Sequence, residues 1–275
     1  MADLGIVDTK KMITAIKDAY GIDFIDYTLT TLRYRFKHVL SYFNLGLVDE
    51  FIEQVTRNNI NLEELLDQLM IDTTELFRDP SLWRELREIY LPEVCKTPGS
   101  KIWMAGVSSG EEVYSLMVIL RELNLEKNVR VIASCPSQKR IDRIKEGGYY
   151  DLKKMEIGNA NYSRYSGKFE FSQYYTVTDN KVVMDTSLLD NVEFNKYDIS
   201  QNGTTSNTYR LILFRNILIQ YNLPLYEKVI RKLIDNLTIG GHLIIGNRET
   251  LEHSEVGKKM QLINESEKIY RKRVD

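Results

Sequence analysis

Between Tyr27 and Phe43 the apolar residues Leu29, Leu32, Phe36, Val39, Leu40 and Phe43 recur at intervals of three and four, the spacing of an amphipathic helix. The polar positions between them include Arg33, Arg35 and Lys37, which are expected to form a basic outer face. The stretches "LVDEFIEQV" and "NLEELLDQLM" keep the same period, so residues 1–75 read as a small helical domain. Residues 76–100 read as a linker and connecting helix. From about Lys101 the pattern changes. Short apolar runs, "KIWMAGV", "VRVIAS", "VEFNKYD", "YRLILFRN" and "HLIIGN", predict strands. Between them "GEEVYSLMVILREL", "SQKRIDRIKEGG" and a segment from Pro224 to about Leu237 predict helices, the second stopped by Gly147 and Gly148 and the third opened by Pro224.

Strands alternating with helices over 101–275 imply a mostly parallel, doubly wound α/β sheet with ligands bound at the carboxyl ends of its strands. Residues 149–190 interrupt the alternation. They are rich in Tyr, Ser and Asn, and "KFEFSQYYTVTDNKVVM" places two β-rich halves around Asp179-Asn180, as a hairpin does. An inserted small β unit is expected there. The segment "LTIGGHLIIGNRE" reads as a helix end, a turn at Gly240-Gly241 and a strand.

Composition narrows the function classes. In 275 residues, 43% are hydrophobic and 28% charged, which is ordinary for a globular chain, and no apolar run approaches the roughly 18 to 20 residues that span a bilayer. The N-terminus lacks the basic start and apolar core of a secretory signal, so a cytoplasmic location is expected. A net charge of −2 excludes a globally basic nucleic-acid binder. The two cysteines, Cys95 and Cys135, are far apart, and three scattered histidines complete no metal-binding spacing.

Three stretches carry chemistry. In "AGVSSGEE", Gly106 and Gly110 allow a tight turn and close approach of backbone to a ligand. Glu111 and Glu112 then weaken the attraction of the helix N-terminus for a pyrophosphate and favour a cation. S-adenosylmethionine fits that turn better than NAD or ATP, while simple complementation of the helix dipole explains the two acids equally well. In "IDTTELFRDPSLWREL", Asp72 and Glu75 have capping-box spacing and Asp79-Pro80 opens another helix, which holds Arg78 at a junction where it could pair with a carboxylate. In "YRLILFRNILIQYN", Arg215 and Asn216 follow an apolar strand and emerge at the ligand edge of the sheet.

Taken together, "TTELFRDPSLW", "WMAGVSSGEEVYSL", "GGYYDL", and "FRNILIQYN" followed by "GGHLIIGNRE" resemble the CheR-type chemotaxis receptor methyltransferases over nearly the whole chain. The resemblance implies a Rossmann-like class I S-adenosylmethionine-dependent methyltransferase domain, preceded by a helical domain and carrying an inserted β-subdomain. It implies methylation of glutamate side chains on the cytoplasmic helices of chemoreceptors. Cofactor contacts carry over to Thr74, Arg78 and Glu111, to Asp72 where the family often has Asn, to Asp198-Ile199 on the adenine side, and to Arg215 and Asn216. Arg78 is also expected to orient the reacting carboxylate. The helix with Arg33, Arg35 and Lys37 resembles the family's receptor-facing helix, and residues 149–190 its receptor-docking subdomain. Two departures stand out. Cys135 and Ser137 occupy the acid positions of the family's Ala-x-Asp-x-Asp, so Cys135 sits where a carboxylate grips the ribose, and Gln220 replaces one of an aromatic pair. Loss of such a carboxylate weakens binding by about ten- to a hundredfold. The alternative implied is a CheR-like binding or regulatory protein with weak or no methyl transfer.

Overall fold

The computed structural model describes residues 4–70, 74–148, 150–165, 169–179, 181–203 and 208–273. Four helices come first: α1 (Ile6–Tyr20), α2 (Leu29–Tyr42), α3 (Val48–Thr56) and α4 (Leu62–Leu69). Their apolar stripes are buried as the periodicity predicts, with Leu32, Phe36, Val39 and Leu40 of α2 in the core. A longer helical rod follows, made of α5 (Pro80–Glu85), a π-helical turn over Leu86–Tyr90 and α6 (Leu91–Cys95). Pro92, in the first turn of α6, has no N–H for the regular ladder, and the rod widens just before it.

The remaining elements are β1 (Ser100–Met104), α7 (Glu111–Glu122), β2 (Val129–Cys135), α8 (Gln138–Lys145), β3 (Tyr150–Asp151), α9 (Leu152–Tyr165), β4 (Tyr175–Thr178), β5 (Lys181–Met184), β6 (Val192–Lys196), β7 (Tyr209–Phe214), α10 (Leu223–Asp235), β8 (Leu237–Ile245), β9 (Met260–Asn264) and β10 (Ile269–Lys272). Seven strands form one sheet in the order β6-β2-β1-β7-β8-β10-β9. The first five run parallel, while β10 is antiparallel to β8 and to β9. Because β1 and β7 are neighbours though distant in the chain, the connections reverse direction there. That switch point is where an α/β sheet opens a ligand crevice.

Both faces of the sheet are covered. Helices α7 and α8 pack one face through Val113, Leu116, Ile141 and Ile144. On the other, α10 and the four N-terminal helices share one continuous apolar core with Trp103, Ile212 and Phe214. Asp67 of α4, nearly fully buried, fastens the N-terminal helices to α8. It accepts from Arg140 Nε at 2.7 Å and from Arg143 Nη2 at 3.2 Å, while Arg140 Nη2 donates to the Asp67 carbonyl at 2.7 Å.

The insert differs from the sequence expectation in one respect. Its three short strands, ordered β3-β5-β4, are joined by the 14-residue helix α9. The hairpin forms with Thr178 opposite Lys181, and Asp179 takes φ 49°; Asn180 lies outside the described residues. Gly240-Gly241 also differs. Instead of a turn before a strand, the glycines lie inside β8, in a bulge where the register moves from Tyr209–Leu237 to Leu211–His242. Gly240 has φ 74°, and a Cβ on Gly241 would stand 3.1 Å from the Arg210 carbonyl. The strands β9 and β10 were not anticipated. Among the described residues no helix is long and apolar enough to cross a membrane, and no three His, Cys, Asp or Glu residues gather as metal ligands.

Candidate active site

The carboxyl ends of β1, β2, β6 and β7 open into a narrow cleft whose free volume is about 90 Å³. Its floor is the turn after β1. There Ala105 N–H donates to the Leu213 carbonyl at 3.0 Å and Val107 N–H to the Ser134 carbonyl at 2.8 Å, so the chain stays wedged between β7 and β2. Gly106 lets the chain pass close under Ile217 and Phe214: a Cβ would lie 2.2 Å from Ile217 Cδ1 and 3.0 Å from the Phe214 ring, so both side chains would have to move. Gly110, with φ 95°, caps α7 in the left-handed region. Glu111 then turns inward, 2% exposed, receiving the Ser109 hydroxyl and facing Lys154 Nζ at 3.7 Å.

On the far wall Asp198 and Ile199 follow β6. Asp198 Oδ1 accepts from Ser200 N at 2.8 Å and Ser200 Oγ at 2.6 Å, and among the described residues its Oδ2 accepts nothing. The N-terminal helices close the roof with Tyr27, Arg35, Leu69 and Met70. Tyr27 meets Tyr221 edge to face at 5.1 Å and its hydroxyl bonds Ser200 Oγ at 2.9 Å, which joins the two halves of the chain across the cleft.

Next to the cleft is a second, more open depression of about 340 Å³ bordered by Thr74, Arg78, Asn216, Ile219, Arg248 and Glu249. Arg78 is flanked by Phe77 at φ 53° and Asp79 at φ 59°. Non-glycine residues rarely adopt this region, and two around one arginine mark a backbone held in place by its surroundings. Asn216, at φ 60°, is a third. It is pinned by Glu249, whose carboxylate accepts from the backbone N–H of Asn216 at 2.9 Å, of Gly246 at 2.7 Å and of Ile219 at 3.3 Å. Burial pushes the Glu249 carboxyl above the ordinary range, and those backbone donors pull it down. Glu249 was missed from sequence. Its only signal was an acid closing "GNRE" directly after a strand, at the ligand edge.

Arg215 lies beneath the β1 turn, its side chain 1% exposed, bonded to both Asp79 and Glu112 and facing the Trp83 ring at 5.9 Å. Its Nε has no acceptor among the described residues, and the small gap beside it is bordered by Thr74, Gly106 and Ser108. Asp79 therefore does not cap α5 through its side chain, although it stands at the expected helix start.

Of the residues named from sequence, Thr74, Arg78 and Asn216 meet at the open depression, and Gly106, Asp198 and Ile199 line the cleft. Glu111 and Arg215 lie just behind the turn. Asp72 falls outside the described residues. Two assignments require correction. Cys135 does not line the cleft: it is fully buried in the apolar cluster with Ala133 and Ile141, and Pro136 faces the opening instead. The neighbouring hydroxyls are engaged, Ser137 Oγ capping α8 at Arg140 N and Ser134 Oγ accepting from Trp103 Nε1 at 2.8 Å. Arg35 is not on the outer face of α2. Successive residues turn by about 100°, so Arg33 and Lys37, four apart, share a side, while Arg35 is carried to the opposite flank. It is 7% exposed, inside the cleft roof. Arg33 Nε donates to the Leu4 carbonyl at 2.7 Å.

Burial also pushes the Cys95 and Cys135 thiols up to about 11. On the order of a thousandth of each is ionised at pH 8, so a thiol-specific disulfide reagent is expected to titrate neither in the native protein and both after denaturation. Rapid native labelling of Cys135 would contradict this.

A doubly wound sheet with a crevice at its switch point is the frame of an S-adenosylmethionine-binding methyltransferase, and the comparison with known families assigns the chain to that class. Residues 72–268 match the family model described as the CheR methyltransferase, SAM binding domain. The chain belongs to that CheR family. It is similar to the Cher3 protein of Pseudomonas putida, with 30% identity over 97% of each chain. It is also similar to a chemotaxis protein methyltransferase of Vibrio anguillarum, 27% identical over 84% of each chain, and to chemotaxis protein methyltransferase 1 of Pseudomonas aeruginosa, 23% identical over 74% of this chain and 76% of the other.

Proposed function

We propose that the protein methylates glutamate side-chain carboxylates on the cytoplasmic helices of a chemoreceptor, acting in the cytoplasm. The observation that carries this reading is Arg78, held between two left-handed residues at a depression that adjoins the cofactor cleft. The family's relatives named for chemotaxis support the substrate class.

The bound cofactor supplies an electrophilic methyl group. A carboxylate is already nucleophilic at neutral pH, so no general base is needed. The protein's task is orientation and exclusion of water. Arg78 would hold the incoming carboxylate by paired N–H donors. Thr74, Asn216 and Arg215 would fix the cofactor's amino-acid end, Glu111 acting from behind the turn through its charge. Asp198 and Ile199 would hold the nucleoside. With Cys135 turned into the core, Asp198 is the acid facing the cleft beyond β6. Residues 1–75 would form the receptor-facing helical domain, with Arg33 and Lys37 on its outer side, and residues 149–190 the docking subdomain.

The test is transfer of tritiated methyl groups from S-adenosylmethionine to a receptor cytoplasmic fragment. Base-labile label on glutamate is expected. One observation favours the second reading, a binding protein without transfer: no carboxylate stands at the end of β2. Absence of any S-adenosylmethionine binding at millimolar concentration in a calorimetric titration would decide for it.

A further inference from the structure

The inserted unit touches the candidate site at three points. Tyr150 of β3 donates its hydroxyl to the Ser109 carbonyl, in the turn after β1, at 3.0 Å. Lys154 of α9 faces the buried Glu111 carboxylate at 3.7 Å. The third contact lies two residues before Arg78 in the chain, where Asn161 of α9, 7% exposed, donates from Nδ2 to the Leu76 carbonyl at 3.0 Å. Gly158, on the same face of α9, lets the helix close on Leu76. Helix α9 is itself fastened to α7: Tyr162 and Tyr165 donate their hydroxyls to the Glu122 carboxylate at 2.5 Å and 3.2 Å, and that side chain is 1% exposed. Asn161 is therefore presented from a fixed support.

The Leu76 carbonyl belongs to the same peptide group as the Phe77 N–H, which donates to Ser115 Oγ of α7 at 2.9 Å. Both ends of one planar unit are thus held, by the insert on one side and by α7 on the other. Phe77, with φ 53°, follows that unit directly, and Arg78 comes next. A non-glycine residue in the left-handed region relaxes most simply by rotating a neighbouring peptide plane. Rotation of this plane would break two hydrogen bonds among buried groups. Beyond Arg78, its carbonyl accepts from Trp83 Nε1 at 2.8 Å. The direction in which the Arg78 side chain leaves the backbone is set between these two anchors, and the insert supplies part of the first.

We infer that Asn161 is a positioning residue for methyl transfer: by holding the Leu76–Phe77 peptide group it aims the Arg78 guanidinium, which makes the insert a working part of the active site as well as a docking unit. The inference rests on the reading of Arg78 as the residue that orients the carboxylate. Asn161 borders neither the cleft nor the depression, so it acts through the backbone alone. Its effect belongs to the transfer step, because removing its side chain leaves the lining of the cofactor cleft unchanged.

Asn161→Leu removes the donor while suiting the helix better than asparagine does. It is expected to lower single-turnover methyl transfer to a receptor fragment by about ten- to a hundredfold, the effect of a small misplacement of an orienting group, and to change the dissociation constant of S-adenosylhomocysteine by less than about twofold. A double-mutant cycle separates positioning from a purely structural role. In an Arg78→Ala background the same substitution is expected to cost nothing further, since nothing is left to position. A second readout needs no methyl acceptor. The chain has two tryptophans, and in a proton–nitrogen correlation spectrum the indole signal of Trp83, bonded to the Arg78 carbonyl, is expected to move while that of Trp103, bonded to Ser134, stays. Ser115→Ala frees the other end of the same peptide group, carries the same expectations and provides the test where Asn161→Leu does not fold. An unmoved Trp83 signal, losses that multiply in the double variant, or parental transfer in Asn161→Leu beside an impaired Arg78→Ala overturns the inference. Parental transfer in Arg78→Ala itself overturns the reading of Arg78 and the inference with it, so the two failures are told apart.

Discussion

Arg78→Ala is expected to lower methyl transfer by about 10²- to 10³-fold while changing the affinity for S-adenosylhomocysteine far less. The expectation rests on how firmly the backbone presents this residue. Phe77 and Asp79, on either side, occupy the left-handed region, at a cost of order 1–3 kcal/mol each. Both are compensated by contacts that leave Arg78 no alternative position. The Phe77 ring stacks on Tyr165 with centroids 5.2 Å apart, meets Tyr162 and Phe171 edge to face, and its N–H donates to Ser115 Oγ at 2.9 Å. Asp79 is bound by Arg215 and by Asn247 Nδ2 at 3.2 Å. The Arg78 carbonyl accepts Trp83 Nε1 at 2.8 Å. The contacts of Phe77 and Asp79 and the bond to the Arg78 carbonyl all survive truncation of the side chain, so Arg78→Ala is expected to stay folded, which its thermal transition checks. Arg78→Lys should recover little, because an ammonium cannot make the paired, planar contact with a carboxylate. The measurement is single-turnover transfer of labelled methyl to a receptor fragment with cofactor saturating. Turnover within threefold of the parent would remove Arg78 from the mechanism.

The parts of this fold that could be read in the sequence are those in which one local rule and the tertiary structure agree. The parallel strands are Val-, Ile- and Leu-rich runs separated by helices of clear 3.6 period, and burial on both faces is what such runs require. Helix α9 was hidden because "LKKMEIGNANYSRY" carries Gly158, Asn159 and Asn161, all poor helix formers. Its helicity comes from packing: Met155, Tyr162 and Tyr165 are buried, and at Gly158 a Cβ would stand only 3.0 Å from Leu76 Cβ. At the Gly240-Gly241 bulge a Cβ on Gly241 would meet both Thr238 of the same strand and the Arg210 carbonyl of the neighbouring one, and the second contact is outside any local reading.

At the site, the turn after β1 and the Arg-Asn pair after β7 were legible because glycines and polar residues at strand ends point to the ligand edge. Arg35 was misplaced for a geometric reason, since residues two apart on a helix face nearly opposite ways. Cys135 was misplaced for a different one. Matching a family position says which residue stands there and not where its side chain points. A thiol, unlike a carboxylate, is stable in the apolar cluster with Ala133 and Ile141.

The second large effect concerns stability. Arg215→Met is expected to destabilise the fold by about 3–5 kcal/mol, the usual consequence of removing one partner from a buried ion cluster. Arg215 is 4% exposed and answers both Asp79 and Glu112, whose side chains are 22% and 16% exposed, so its loss leaves two mostly desolvated carboxylates facing each other. In thermal unfolding the transition should fall by on the order of 10 °C. Neutralising the acids as well, in Asp79→Asn/Glu112→Gln/Arg215→Met, should recover a substantial part of that loss, because the repulsion is removed with the cation. A triple variant no more stable than Arg215→Met alone would show that the arginine stabilises through packing against Trp83 rather than through charge. The distinction bears on catalysis. Asp79 adjoins Arg78 and Glu112 adjoins Glu111, so the ion cluster couples the carboxylate-orienting arginine to the turn under the cofactor. Restoring stability in the triple variant without restoring transfer would locate the role of Arg215 in that coupling and in its idle Nε donor rather than in holding the fold together.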